Sequence, residues 1–67
     1  MRVTVNGDGV ELEPRKTIAA LVQEITGTPD QRGVAVARNG EIVRRDEWTQ
    51  PVEDGDELEI VRAVQGG

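Results

Sequence analysis

The sequence predicts an α+β fold, a mixed sheet of about five strands with one main helix packed on one face. Three observations carry this. Arg2–Asn6 and Val10–Glu13 alternate apolar and polar residues on either side of Asn6-Gly7-Asp8-Gly9, a reversal signal because Asn and Gly take positive φ at low cost. Ile18, Leu21, Val22 and Ile25 recur at i, i+3, i+4 and i+7, one apolar stripe of a helix. Glu57–Ile60 alternates charged and apolar residues again, as a strand with one buried face does.

Each element follows from local chemistry. The first strand runs from Met1 to Val5, with Val3 and Val5 on one face and Arg2 and Thr4 on the other. After the turn, Val10 and Leu12 share a face, and Pro14 ends the second strand. Thr17 is the expected N-cap, its hydroxyl accepting from a helix N–H that has no other partner. Gly27 is a natural stop, and Pro29 discourages continuation, so the helix spans about Thr17 to Thr26. Val34–Arg38 has small or branched residues on both faces, which suits an interior strand. Asn39-Gly40 is a second hairpin turn, with a short strand Glu41–Val43 after it.

Arg44–Trp48 then breaks the alternation, and a helical turn is expected there with Trp48 folded against the core. Glu53–Asp56 is an acidic turn into the last strand, where Leu58 and Ile60 face inward. The predicted core is Val3, Val5, Val10, Leu12, Ile18, Leu21, Val22, Ile25, Val34, Val36, Ile42, Trp48, Leu58 and Ile60. A hairpin, one crossing helix and further strands, in that order, make a β-grasp.

Composition narrows function. At 67 residues the expectation is one domain, residues 1–67, with a flexible Gly-Gly tail at 65–67. Folding at this size buries only about 60% of the unfolded surface. The sequence has no cysteine and no histidine, which removes thiolate metal sites, a cysteine nucleophile and the commonest general base. No enzyme and no metal site is expected. Absence of cysteine suits a reducing cytoplasm, the expected location. No apolar run approaches the roughly 18 residues of a membrane span, and the chain opens directly on a strand without a leader. Eight basic and 13 acidic residues give a net charge of −5, without the basic footprint of nucleic-acid binding and in keeping with a basic protein partner. Trp48 is the one aromatic residue, too few for a base-stacking surface.

Several features admit two readings. Glu53–Glu57 offers carboxylates to a hard cation, but lacks calcium-loop spacing and reads more simply as a solvated turn. Arg44-Arg45 suits a phosphate, or is a surface pair bonded to nearby Asp46 or Glu47. Trp48 is core packing or an interface anchor. Nothing marks Lys16, the sole lysine, as reactive. Gly66-Gly67 is an accident of composition or a functional terminus.

The ordered set Val3-Thr4-Val5-Asn6-Gly7, Thr17-Ile18 with Leu21, Val34-Ala35-Val36-Ala37 before Asn39-Gly40, Ile42-Val43 with Arg45 and Trp48, Asp54-Gly55-Asp56 and Gly66-Gly67 resembles a known family over nearly the whole chain. This is the ubiquitin-like β-grasp family of small sulfur carrier proteins in bacterial thiamine biosynthesis. Arg44 departs from it, since that position commonly holds proline, and Val22 often is leucine there. The first change is expected to loosen the segment before Trp48.

The resemblance implies that Gly67 carries sulfur as a thiocarboxylate, with Gly66 and Gln65 as the tail. It implies three partners: an adenylyltransferase related to the ubiquitin-activating enzymes, a persulfide sulfur donor, and thiazole synthase as acceptor. ATP is used by the activating partner, and the chain itself is expected to bind no cofactor, nucleic acid or membrane. Strand period adds Val61, Arg62 and Ala63 as docking candidates, since Val61 and Ala63 face away from the helix if Leu58 and Ile60 face it. The small subunit of molybdopterin synthase, a carrier of another sulfur pathway, a conjugated modifier and an inert interaction module stay open as alternatives.

Overall fold

The computed structural model describes residues 1–63 of the chain. Six regular elements with one short 3-10 turn make up this part: β1 (Arg2–Val5), β2 (Asp8–Glu11), α1 (Ile18–Thr26), β3 (Val34–Arg38), β4 (Glu41–Ile42), the 3-10 turn Arg45–Glu47, and β5 (Glu57–Arg62). The five strands form one sheet in the order β2-β1-β5-β3-β4. β5 runs parallel to β1 through Thr4↔Glu57 and Val5↔Leu58. It runs antiparallel to β3 over five pairs, from Val34↔Arg62 to Arg38↔Leu58. The last strand therefore lies in the middle of the sheet.

Both Asn-Gly pairs act as two-residue turns, with φ of 51° at Asn6 and at Asn39 and positive φ at the glycine that follows. The first turn sets Val5 opposite Asp8, so β2 begins two residues earlier than its alternation suggests. Helix α1 begins where its cap dictates: Thr17 accepts from the Ala20 N–H at 3.1 Å. It ends at Gly27, whose φ of 75° lets its N–H reach the Gln23 carbonyl.

One face of the sheet and the helix enclose the core. Val3, Val5, Leu12, Ile18, Leu21, Val22, Val34, Val36, Trp48, Leu58 and Ile60 are buried, and Val10 is half-buried against them. Two expected members are not inside. Ile25 is 46% exposed, because the covered stripe of α1 ends at Val22. Ile42 is 73% exposed, because the Asn39-Gly40 turn pairs it with Ala37, which alternates away from buried Val36. Val52 fills the core instead. The segment around it runs along the start of α1: the Ile18 N–H donates to the Gln50 carbonyl, the Ala19 N–H to Trp48 and the Val52 N–H to Lys16. That segment has no period, so no pattern marks Val52.

The acidic turn is not wholly solvated either. Asp56 is 5% exposed, and its carboxylate takes the Arg38 guanidinium at 2.9 Å, the Asn39 amide at 3.1 Å and the Glu53 N–H at 2.8 Å. Both carboxylate oxygens that burial strips of water are thereby given donors.

Arginines 44 and 45 do different things. Arg44 is a surface residue paired with Asp46 at 3.1 Å, as expected. Its own N–H donates to the Glu47 carboxylate at 3.1 Å, a bond a proline there has no N–H to make. The departure at this position thus carries a tie of its own, which offsets the expected loosening. Arg45 pairs with neither acidic neighbour. Its guanidinium lies 4.2 Å from the centre of the Trp48 ring and donates to the carbonyls of Gln31, at 2.9 Å, and Val34, at 3.4 Å. Trp48 is 3% exposed and donates to the Val43 carbonyl at 3.4 Å. Nearby, the Arg32 guanidinium and N–H hold the Asp30 carboxyl well below the usual carboxylate range. Both groups reach solvent, so this pair adds little stability.

Two substitutions test these ties, with Trp48 fluorescence in a urea titration as the readout. Asp56→Ala leaves two N–H donors unpaired and the Arg38 guanidinium with only the Glu53 carboxylate 3.8 Å away, and lowers stability by about 3 kcal/mol. Its midpoint falls while the slope stays the same. Arg45→Ala costs about 1–2 kcal/mol through the lost ring contact and two carbonyl bonds. Arg45→Lys recovers less than half of this, because an ammonium has neither the plane nor the fork.

Candidate functional site

A carrier reading needs two things of this body: a fixed root for the terminal residues and a surface on which a partner can seat. The structure describes β5, which leads toward the terminus, and the sheet face that carries the docking candidate Val61, while Gln65, Gly66 and Gly67 lie outside the described residues.

The root is β5. Its inner residues Leu58 and Ile60 are 1% and 7% exposed, so the strand is anchored by packing as well as by its two neighbours. On the β3 side the last described tie is the Ala63 N–H donating to the Gly33 carbonyl at 2.7 Å. Gly33 precedes Val34, whose carbonyl is held by Arg45, so the end of β5 rests on backbone that Arg45 and Trp48 brace from behind. On the β1 side the Asn6 N–H donates to the Leu58 carbonyl at 2.9 Å. Beyond it the Asn6 side chain bonds both backbone groups of Ile60.

The surface is the sheet face turned away from α1. Val61 projects there and is 60% exposed. Its cross-strand partner is Ala35, and Ala37 faces Ile42 in the next pair of strands. Alternation puts all four on the same face, opposite buried Val34, Val36, Leu58 and Ile60. Val61, Ala35, Ala37 and Ile42 thus form an apolar strip across β5, β3 and β4. Glu57 and Glu59 stand on the same face of β5 and give the strip an acidic border.

Sequence reasoning expected Val61 and Ala63 to face away from the helix, with Arg62 at the rim of the strand. Arg62 pairs with buried Val34 and so belongs to the helix side of the sheet, although it is exposed. Ala63 is exposed and lies just past β5. The reasoning missed Ala35, Ala37 and Ile42 as Val61's neighbours. The signal was present: a two-residue turn at Asn39-Gly40 fixes Ala37 opposite Ile42, and Ala37 is one residue from an inward valine.

The polar clusters here serve the fold. Among the described residues no group of acidic side chains is placed to hold a metal ion, and Asp56 is already taken by Arg38. No described helix is long and apolar enough to cross a membrane.

Comparison with known proteins gives the family. A thiazole synthase from Paramagnetospirillum magneticum is 41% identical over an alignment of 68 residues that takes in 100% of this chain. The chain spans about a fifth of that protein, the matched share being 20%. The sulfur carrier protein ThiS of Escherichia coli is 31% identical over 70 residues, the whole of both chains. The crystal structure of the thiamine biosynthesis protein ThiS from Geobacter metallireducens superposes with a TM-score of 0.71 at 26% identity, again over all of both chains. The ThiS family model matches residues 3–67, from the first inward valine to the terminal glycine, and the chain belongs to that family.

Proposed function

We propose that this chain carries sulfur for thiazole formation in thiamine biosynthesis, as a thiocarboxylate on Gly67. The observation that carries the reading is the match of a whole sulfur carrier to the whole of this chain, with the Gly66-Gly67 end included.

The chemistry follows from the functional groups. A terminal carboxyl has an ordinary pKa of about 3.3–3.7, so Gly67 is ionised at neutral pH and is a poor electrophile. With no cysteine and no histidine, the chain has little with which to activate itself. An adenylyltransferase of the ubiquitin-activating type supplies that step. A carboxylate oxygen attacks the α-phosphorus of ATP, and pyrophosphate leaves. A donor persulfide then attacks the acyl carbon, and AMP leaves. A thiol then attacks the donor's own sulfur in the resulting acyl disulfide, a disulfide forms between thiol and donor, and the thiocarboxylate leaves, the form that thiazole synthase accepts.

Glycine at both terminal positions removes side-chain bulk beside the reacting carbon and suits a narrow slot. Residues 65–67, fully extended, reach about 10 Å. Ordering each of them costs about 1–2 kcal/mol of backbone entropy, which docking of the body must offset. The strip at Val61, Ala35, Ala37 and Ile42 supplies that contact, and its acidic border selects a partner with a basic rim. A thiazole synthase with a segment like this chain supports the pairing of carrier and acceptor.

Val61→Asp changes fold stability by no more than about 0.5 kcal/mol, as exposed positions do. It weakens binding to the adenylyltransferase at least tenfold in a calorimetric titration. Unchanged affinity would remove the open face from the proposal. For the terminus, mass spectrometry of the protein from its own cells shows a gain equal to the replacement of one oxygen by sulfur. An alanine appended after Gly67 abolishes both that gain and growth without added thiazole. Isopeptide-linked adducts in place of the gain would make the chain a modifier.

A further inference from the structure

The parallel ladder between β1 and β5 is short. Its pairs are Thr4↔Glu57 and Val5↔Leu58, and β1 ends at Val5 because the chain turns away at Asn6 and Gly7. Ile60 lies beyond the reach of β1's backbone, yet it is 7% exposed, so its peptide groups need partners. The Asn6 side chain provides both. Its Oδ1 accepts from the Ile60 N–H at 2.8 Å, and its Nδ2 donates to the Ile60 carbonyl at 3.2 Å. A primary amide thus takes the place of one further residue of strand.

Past this point the two sides of β5 differ. On the β3 side the ties continue to Ala63. On the β1 side the peptide groups of Arg62 are next in alternation, and no described residue bonds them. Asn6 is therefore the last described tie on that side, seven residues before Gly67.

We propose that Asn6 is a positioning residue for the charging of the terminus. It touches no reacting atom. Through Ile60, and with the Ala63–Gly33 tie on the other side, it sets the direction in which β5 runs as far as Ala63, and so the point from which the terminus must reach its partner. The inference rests on the proposed function, since it concerns the step in which Gly67 is adenylated. Asparagine suits the task on two counts. It tolerates the left-handed backbone of the turn, and it offers a donor and an acceptor side by side. Aspartate supplies only the acceptor and sets a negative charge against the Ile60 carbonyl. Glycine keeps the turn and removes both bonds.

The full chain, its adenylyltransferase and ATP give the test, read as pyrophosphate exchange. Hydrogen exchange at the Ile60 amide reports the tie itself. In Asn6→Gly the amide exchanges faster and kcat falls about tenfold, the scale of a modest misplacement. KM stays within about twofold, because the docking strip is untouched. Asn6→Asp, which keeps the bond from the Ile60 N–H, loses less than Asn6→Gly. Should Asn6→Gly fail to fold, by Trp48 fluorescence, Asn6→Asp alone decides, with a fall in kcat at constant KM expected. A full-rate variant whose Ile60 amide exchanges faster overturns the inference, and so does a loss confined to KM. A wild-type chain that is never charged overturns the functional reading instead, and the positioning role with it.

Discussion

The backbone of the final strand has to be satisfied on both sides at once. β5 lies between β1 and β3, parallel to one and antiparallel to the other, so its N–H and C=O groups need partners on two sides, met by β3 along its length and by β1 and the Asn6 side chain as far as Ile60. This constraint brings the beginning of the chain beside its end. It also makes the sheet depend on contacts far apart in sequence, such as Val5 with Leu58, which must wait for most of the chain to be in place. A strand held this way cannot fray from an edge, and whatever follows it leaves from a fixed point.

The two Asn-Gly turns show how far the fold goes to meet that constraint. Each asparagine closes a hairpin, and each then uses its side chain on β5. Asn39 accepts from the Glu57 N–H at 2.9 Å while its amide donates to Asp56, and Asn6 brackets Ile60. The strand is thus gripped at its start and near its end by residues whose sequence signature is only that of a turn. Buried Asp56 belongs to the same arrangement. It draws Arg38 of β3 and Asn39 together at the entrance to β5, and its carbonyl accepts from the Thr4 N–H of β1 at 2.9 Å.

Periodicity and caps were enough for the elements. Thr17, Gly27 and the stripe from Ile18 bounded the helix, and the alternating runs located the strands, because those signals are local. What escaped was set by neighbours distant in sequence. Ile42 reads as core until the turn register is worked through, and Ile25 continues a stripe that the packing does not cover. Val52 sits in a stretch with no period, so nothing in the sequence marked it as buried, while Asp56 continues the inward alternation of Leu58 and Ile60 but its charge and the glycine beside it read as a solvated turn. Arg45 was expected beside an acidic neighbour, but Trp48 and two carbonyls gave it better partners. The site was half legible for the same reason. Strand period exposed Val61, whereas its companions Ala35, Ala37 and Ile42 needed the sheet order.

The composition of that strip bears on how a shuttle works. Two of its four apolar residues are alanines, so the face is flat and the area it hides on docking is small. A long-lived complex needs a larger and more deeply packed apolar centre than this. A carrier that must be charged on one protein and discharged on another gains from the shortfall. Under the proposed docking, a small contact lets the body leave one partner for the next. The acidic border fits the same demand, since charge complementarity acts mainly on the rate of encounter and on the choice of partner. Rigidity is then concentrated where it does not slow release: in β5, which the sheet itself holds.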